Sequence, residues 1–174
     1  MQKRFAFVVG MIFTLTIFAA CQGGKPSPAA SASCDLGGGK TIKTAYSSPR
    51  MKGRKIYGDL VPFGEVWRTG ANEATTFVSS GDVVVGGKTV PAGNYTLFTV
   101  PTADKWTLII NKKTGEWGIP YKYESDELAR VDMKASKLPS PVENFTISYE
   151  KSGNGCVMHI DWENTRASVD ISAK

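Results

Sequence analysis

Residues 91–110, Pro-Ala-Gly-Asn-Tyr-Thr-Leu-Phe-Thr-Val-Pro-Thr-Ala-Asp-Lys-Trp-Thr-Leu-Ile-Ile, decide the fold. Pro91-Ala92-Gly93 turns the chain into a run in which Tyr95, Leu97 and Thr99 alternate with Thr96, Phe98 and Val100. Thr102-Ala103-Asp104 turns it again, into a run where Trp106, Leu108 and Ile110 share one side. A period of two is the signature of a strand, because successive side chains point to opposite faces of a sheet. Both faces of 94–100 are fairly apolar, which predicts a central strand of a sandwich.

The same period extends in both directions. Upstream it predicts strands over 41–47, 74–79 and 82–85, the last turning through Gly86-Gly87-Lys88 into Val90. Downstream it predicts strands over 128–134, 144–150, 156–162 and 166–172, joined by Pro139-Ser140-Pro141, Ser152-Gly153-Asn154-Gly155 and Glu163-Asn164-Thr165. Between 111 and 127 the rhythm breaks into a long loop carrying Trp117, Tyr121 and Tyr123 between glycine and proline. The expectation is an all-β fold, an antiparallel β-sandwich of about eight or nine short strands, with a closed β-barrel as the alternative.

Residues 1–20 have a basic start (Lys3, Arg4) and an apolar run from Phe5 to Ala20, the layout of a cleaved secretory signal peptide. Phe18-Ala19-Ala20-Cys21 resembles a bacterial lipobox, with Phe18 in place of the usual aliphatic residue. The expectation is a lipoprotein acylated at Cys21 and held on a bacterial cell-envelope membrane, at the outer membrane or the periplasmic face. Residues 21–39 are rich in Gly, Ser, Pro and Ala and read as a flexible tether, which leaves 40–174 as a single domain. With Cys21 taken by lipid in an oxidising compartment, Cys34 and Cys156 remain as a candidate disulfide, two unrelated thiols being the other reading. Without Lys3 and Arg4, 19 of the 21 basic residues face 16 acidic ones, a net charge of +3 interspersed with acids. That pattern predicts no nucleic-acid partner.

Chemistry concentrates between Ser48 and Phe77, where basic residues, aromatics and an Asn-Glu pair fall within thirty positions. Arg50, Arg54, Arg68, Asn72 and Glu73 form one candidate set, with Tyr57 and Trp67 as stacking walls. Such donors suit a carboxylate, a phosphate or a sugar hydroxyl. Trp117 and Tyr121 extend the candidate binding residues, because loop aromatics can grip sugar faces. Two bland readings stand beside these: Arg54 or Arg68 paired with Glu73 as a brace, and the aromatic loop packed onto the core. A hydrolase using Glu73 as acid or base, with Asp161 or Glu163 as its second carboxylate, is a further alternative. His159, the only histidine, is read as a surface residue on the same side of its strand as Asp161. The sequence predicts no catalytic set, no metal site and no cofactor: it contains no P-loop, dinucleotide fingerprint, Cys-x-x-Cys, His-Glu-x-x-His or Gly-x-Ser-x-Gly.

The strings Ser48-Pro49-Arg50, Gly53-Arg54, Val61-Pro62-Phe63-Gly64 and Trp67-Arg68-Thr69-Gly70-Ala71-Asn72-Glu73-Ala74-Thr75 resemble a bacterial family known as domain of unknown function 2911. The likeness continues through 91–98, Trp106, Asn111-Lys112, Trp117-Gly118 and Trp162-Glu163-Asn164-Thr165. It implies a secreted or lipid-anchored domain and carries no established activity. The functional expectation is therefore an envelope-tethered binding domain for a small polar, anionic or saccharide-like ligand, with the lipid bilayer as partner through the N-terminal lipid. A carboxylate-dependent hydrolase and a structural or assembly lipoprotein with a protein partner are the alternatives.

Overall fold

The computed structural model describes residues 27–174. The signal peptide, the lipidation of Cys21 and the start of the tether lie outside the described residues. Nine strands follow in order: β1 (Ala29–Gly37), β2 (Lys40–Ser47), β3 (Thr75–Ser79), β4 (Val83–Val85), β5 (Lys88–Val90), β6 (Gly93–Pro101), β7 (Lys105–Asn111), β8 (Glu127–Ser152) and β9 (Gly155–Ala173). One turn of 3₁₀-helix, Glu124–Asp126, precedes β8.

The strands form one antiparallel sheet in the order β1-β2-β3-β6-β7-β8-β9-β4-β5. β1 and β5 end that order and do not pair with each other, so the sheet is open and the closed barrel is excluded. The sheet folds over on itself into a sandwich-like pair of layers: β1 lies against β8 and β9, far from it in the pairing order. A disulfide between Cys34 of β1 and Cys156 of β9 joins the layers, with the two Cα atoms 6.7 Å apart.

The long β8–β9 hairpin makes the fold-over possible. Its register shifts between Lys137 and Val142 and again between Val142 and Thr146. β9 bends at Glu163, a non-glycine residue at φ 53°. His159 Nδ1 and Ser168 Oγ are 2.8 Å apart across that bend, although nine residues of straight strand would separate them by roughly 30 Å. The inward face also changes parity there: Met158, Ile160 and Trp162 are buried before the bend, and Ala167, Val169 and Ile171 after it.

Alternation places Ile42, Phe77, Leu97, Trp106, Leu108 and Ile110 in the main core against Phe145, Ile147, Met158, Ile160 and Trp162. The opposite face of β6 and β7 is covered as well, by a small second core of Ala74, Phe98 and Ile109 under Tyr121 and Tyr123. This is the physical reason that both faces of 94–100 are apolar.

The structure corrects two boundaries. The span 21–39 is not all tether, because Ala29–Gly37 is an edge strand paired with β2. Only its Cys34 and Leu36 are buried, with the small Ala30 and Ala32 half-buried on the same face, so its Ala and Ser give no apolar signal. The strands expected at 128–134 and 144–150 are one strand, as are those at 156–162 and 166–172.

Candidate functional site

The stretch between β2 and β3 has no strand of its own and is held by short backbone ladders. Pro49 O accepts from Phe145 N (2.9 Å), and Met51 N donates to Glu143 O (2.8 Å), which fixes residues 49–51 along β8. Farther on, Trp67 and Thr99 exchange both backbone bonds at 2.8 and 2.9 Å, pinning Trp67 to β6. Between these anchors, Val61 N and Asp59 N both donate to Ile56 O, a tight turn that leaves Leu60 outward.

Among the described residues, three of the four non-glycine residues at positive φ fall within this stretch: Lys52 (50°), Thr69 (55°) and Asn72 (57°). Thr69 is β-branched, so the left-handed conformation is a real strain for it. Its backbone is held there by Thr75 Oγ1, which donates to Thr69 O at 2.6 Å, while its own hydroxyl lies 3.1 Å from Thr99 Oγ1.

These anchors shape a partly open cleft of about 400 Å³. Arg50, Lys52, Arg54 and Arg68 line it together with Leu60, Val61, Trp67, Ile119 and Trp162. Its lining contains four cations and no carboxylate among the described residues. Among the described residues Arg50 Nη1 donates only to Ser48, to its carbonyl at 3.0 Å and its hydroxyl at 2.9 Å. Arg54 donates to the carbonyls of Met51 (3.0 Å) and Arg50 (2.6 Å). Carbonyls orient a guanidinium without neutralising it.

Arg68 is placed differently. Its guanidinium lies over the Trp117 ring at 4.9 Å from the centroid and donates through Nη1 to Trp117 O at 3.3 Å. Its Nε is buried without a hydrogen-bond partner among the described residues. Burial pulls the Arg68 pKa below its ordinary value, and the charge of Glu73 opposes that shift. Gly118 is required for this contact: it sits at φ +88°, and a Cβ there would stand 3.0 Å from the Cβ atoms of both Arg68 and Ala74.

Of the residues singled out in the sequence, Arg50, Arg54, Trp67 and Arg68 come together in the cleft. Trp67 contributes an edge only. It is 8% exposed, its ring is stacked with Trp162 at 6.0 Å and 17°, and its Nε1 donates to Gly70 O at 3.1 Å. Tyr57 is not a wall of the cleft. It is buried between Trp67, Trp106 and Trp162, where burial first and the charges of Glu163 and Asp161 second push its phenol pKa well up.

Asn72 and Glu73 are not among the lining residues. Asn72 Nδ2 donates to Ser27 O at 3.2 Å, and Ser27 itself lines the cleft. Trp117 reaches the cleft through Arg68. Tyr121 belongs to a brace, its hydroxyl donating to Glu127 at 2.6 Å and accepting from Asn111 at 3.2 Å. It also borders a second cavity of about 150 Å³ that shares Leu60, Val61, Trp67 and Ile119 with the cleft.

Both carboxylates considered as partners for Glu73 have structural work. Asp161 is gripped in two-point fashion by Arg166 at 2.8 and 2.6 Å, and Glu163 accepts from Ile56 N at 3.4 Å. Sequence reasoning missed Lys52, Leu60, Ile119 and Trp162. Lys52 had a signal, since it lies between Arg50 and Arg54; Ile119 and Trp162 arrive from distant elements.

Fold and site together define an all-β antiparallel domain with a cation-lined cleft over an aromatic floor. Residues 27–171 match the family described as Protein of unknown function (DUF2911), and the chain belongs to that family. No curated protein and no solved structure matches it.

Proposed function

We propose that this domain binds a small anion in the cleft formed by Arg50, Lys52, Arg54 and Arg68, and that Cys21 tethers it to a bacterial envelope membrane. One observation carries the reading: four cations share a concave lining in which no carboxylate stands among the described residues. Glu73 acts on Arg68 from outside the lining, but like charges brought together with no carboxylate between them are unfavourable and become favourable when an anion arrives. The Arg68 Nε, buried and unpartnered, adds an unused donor, and an unmade buried hydrogen bond is costly until a ligand completes it.

The apolar edges that Val61, Trp67 and Trp162 present at the floor of the cleft favour an anion with an uncharged portion, such as a sugar phosphate or a uronate. Calorimetry with inorganic phosphate, glycerol phosphate, glucuronate and glucose tests this. The anions should bind with an affinity that falls as salt rises, glucose should bind more weakly, and Arg50→Ala should weaken the anions severalfold. Equal binding of glucose, or affinity unchanged in Arg50→Ala, would remove the site.

The tether is tested separately, by palmitate labelling of cells carrying the chain and its Cys21→Ser variant. Label should appear in the first and be absent from the second.

A further inference from the structure

The cleft is ringed by apolar side chains that have no place in a simple anion site. Among the described residues five large apolar side chains are exposed, and four of them stand around the cleft: Leu60, Phe63, Trp117 and Ile119. Leu60 and Ile119 line it, and Phe63 belongs to the loop that carries Leu60, its ring lying over Gly58. Trp117 covers the Arg68 guanidinium with one face while remaining 54% exposed. The fifth, Val78, lies on β3.

A rim of exposed apolar residues around cations, with tryptophan among them, matches the boundary of an anionic bilayer. There apolar side chains enter the acyl region, indole rests at headgroup depth and cations meet lipid phosphate. The point at which the chain enters the domain agrees. Ser27 lines the cleft, and the six steps from Ser27 back to Cys21 reach at most about 20 Å when fully extended. An acyl group on Cys21 would hold this face, rather than the opposite end of the sandwich, at the membrane.

We infer that the cleft face is a membrane-docking surface: Arg50, Lys52, Arg54 and Arg68 take the phosphate of an anionic phospholipid while Leu60, Phe63, Trp117 and Ile119 enter the interface around it. This rests on the anion-binding reading above and names the source of the anion. The neighbouring cavity of about 150 Å³, bounded by Leu60, Val61, Val66 and Tyr121 and also by Glu65, has a mixed lining, so docking rests on the rim and the cations and not on this space.

Fluorescence tests it directly, because Trp67, Trp106 and Trp162 are buried and only Trp117 can meet a quencher in the lipid. The full chain is reconstituted into vesicles with brominated acyl chains, either phosphatidylcholine alone or phosphatidylcholine mixed with phosphatidylglycerol. Emission should be quenched severalfold more in the anionic vesicles, and Trp117→Phe should abolish the difference. Lys52→Ala, a change at an exposed side chain, should reduce it. Equal quenching in both vesicle types, or none in either, overturns docking.

Calorimetry with soluble glycerol phosphate separates the two readings. Binding without lipid-dependent quenching overturns docking and keeps the anion site, whereas failure of both removes both. Lipid-dependent quenching without soluble binding supports docking and overturns the free-anion reading.

Discussion

Two regions of this molecule use the same residues to opposite ends. On the β8–β9 hairpin and beside the aromatic loop, arginines meet carboxylates in two-point pairs: Arg166 with Asp161 at 2.8 and 2.6 Å, and Arg130 with Glu127 at 2.7 and 2.8 Å. In the cleft, Arg50 and Arg54 meet only carbonyls and a hydroxyl, and no carboxylate lines the space they share among the described residues. A paired guanidinium holds two segments of chain together; one oriented by carbonyls keeps its charge available. The counter-charge, more than the density of arginine, distinguishes a brace from a site.

The largest effect that can break this contrast belongs to Trp67, which touches both regions. Its ring packs against Tyr57, Trp106, Phe145 and Trp162, so Trp67→Ala should cost about 3–5 kcal/mol in urea unfolding. A loss below about 1 kcal/mol would make Trp67 a wall of the site rather than the core beneath it. Next comes Asp161→Ala, which leaves Arg166 without its partner at the bend of β9. With the arginine side chain 36% exposed, water takes up part of that charge, and a loss of about 1–2 kcal/mol is expected. No change in the urea midpoint would mean that the bend is held by β8 pairing alone.

Acid titration probes the second brace. The two-point bond from Arg130 holds the Glu127 carboxyl below its ordinary pKa of 4.5; burial opposes that shift, and the Tyr121 hydroxyl assists it. A depressed folded-state pKa contributes stability that is present above the unfolded value and lost as pH falls through the folded one. Thermal stability should therefore decline below about pH 4 more steeply in the parent than in Glu127→Gln. Parallel declines would show that the pair contributes nothing to acid sensitivity.

Much of this architecture is legible in the sequence. Alternation marks β2, β3, β6 and β7 nearly to the residue, because each buries at least one regular face. β1 is not legible. Only Cys34 and Leu36 are buried, the small Ala30 and Ala32 on the same face being half-buried, and what orders it is remote, namely pairing with β2 and the bond to Cys156. Pro139 and Pro141 suggest a break, yet they fall where β8 and β9 shift register between Lys137 and Val142, and there proline interrupts no regular ladder. In the site, Arg50, Arg54 and Arg68 are legible because one segment carries them. Ile119 and Trp162 are not, since the aromatic loop and the bent β9 bring them to the cleft. Asn72 and Glu73 have the right chemistry and adjacency, but the left-handed turn at Asn72 directs its side chain to Ser27.

The smallest expected change in stability is the sharpest test of the contrast. Arg54 is exposed and its bonds run to two carbonyls within four residues of itself, so it ties together no distant parts of the chain. Arg54→Ala should leave the melting transition within about 0.5 kcal/mol of the parent, as surface changes away from braces do. Its effect should fall on anion affinity, because removing one of four clustered cations lowers the local potential that the remaining three share. The salt dependence of binding should flatten with it, since fewer charges are then screened. If instead Arg54→Ala destabilised the fold as much as Asp161→Ala, the carbonyl-bound guanidinium would itself be a brace. Pairing with a carboxylate would then no longer distinguish the two regions.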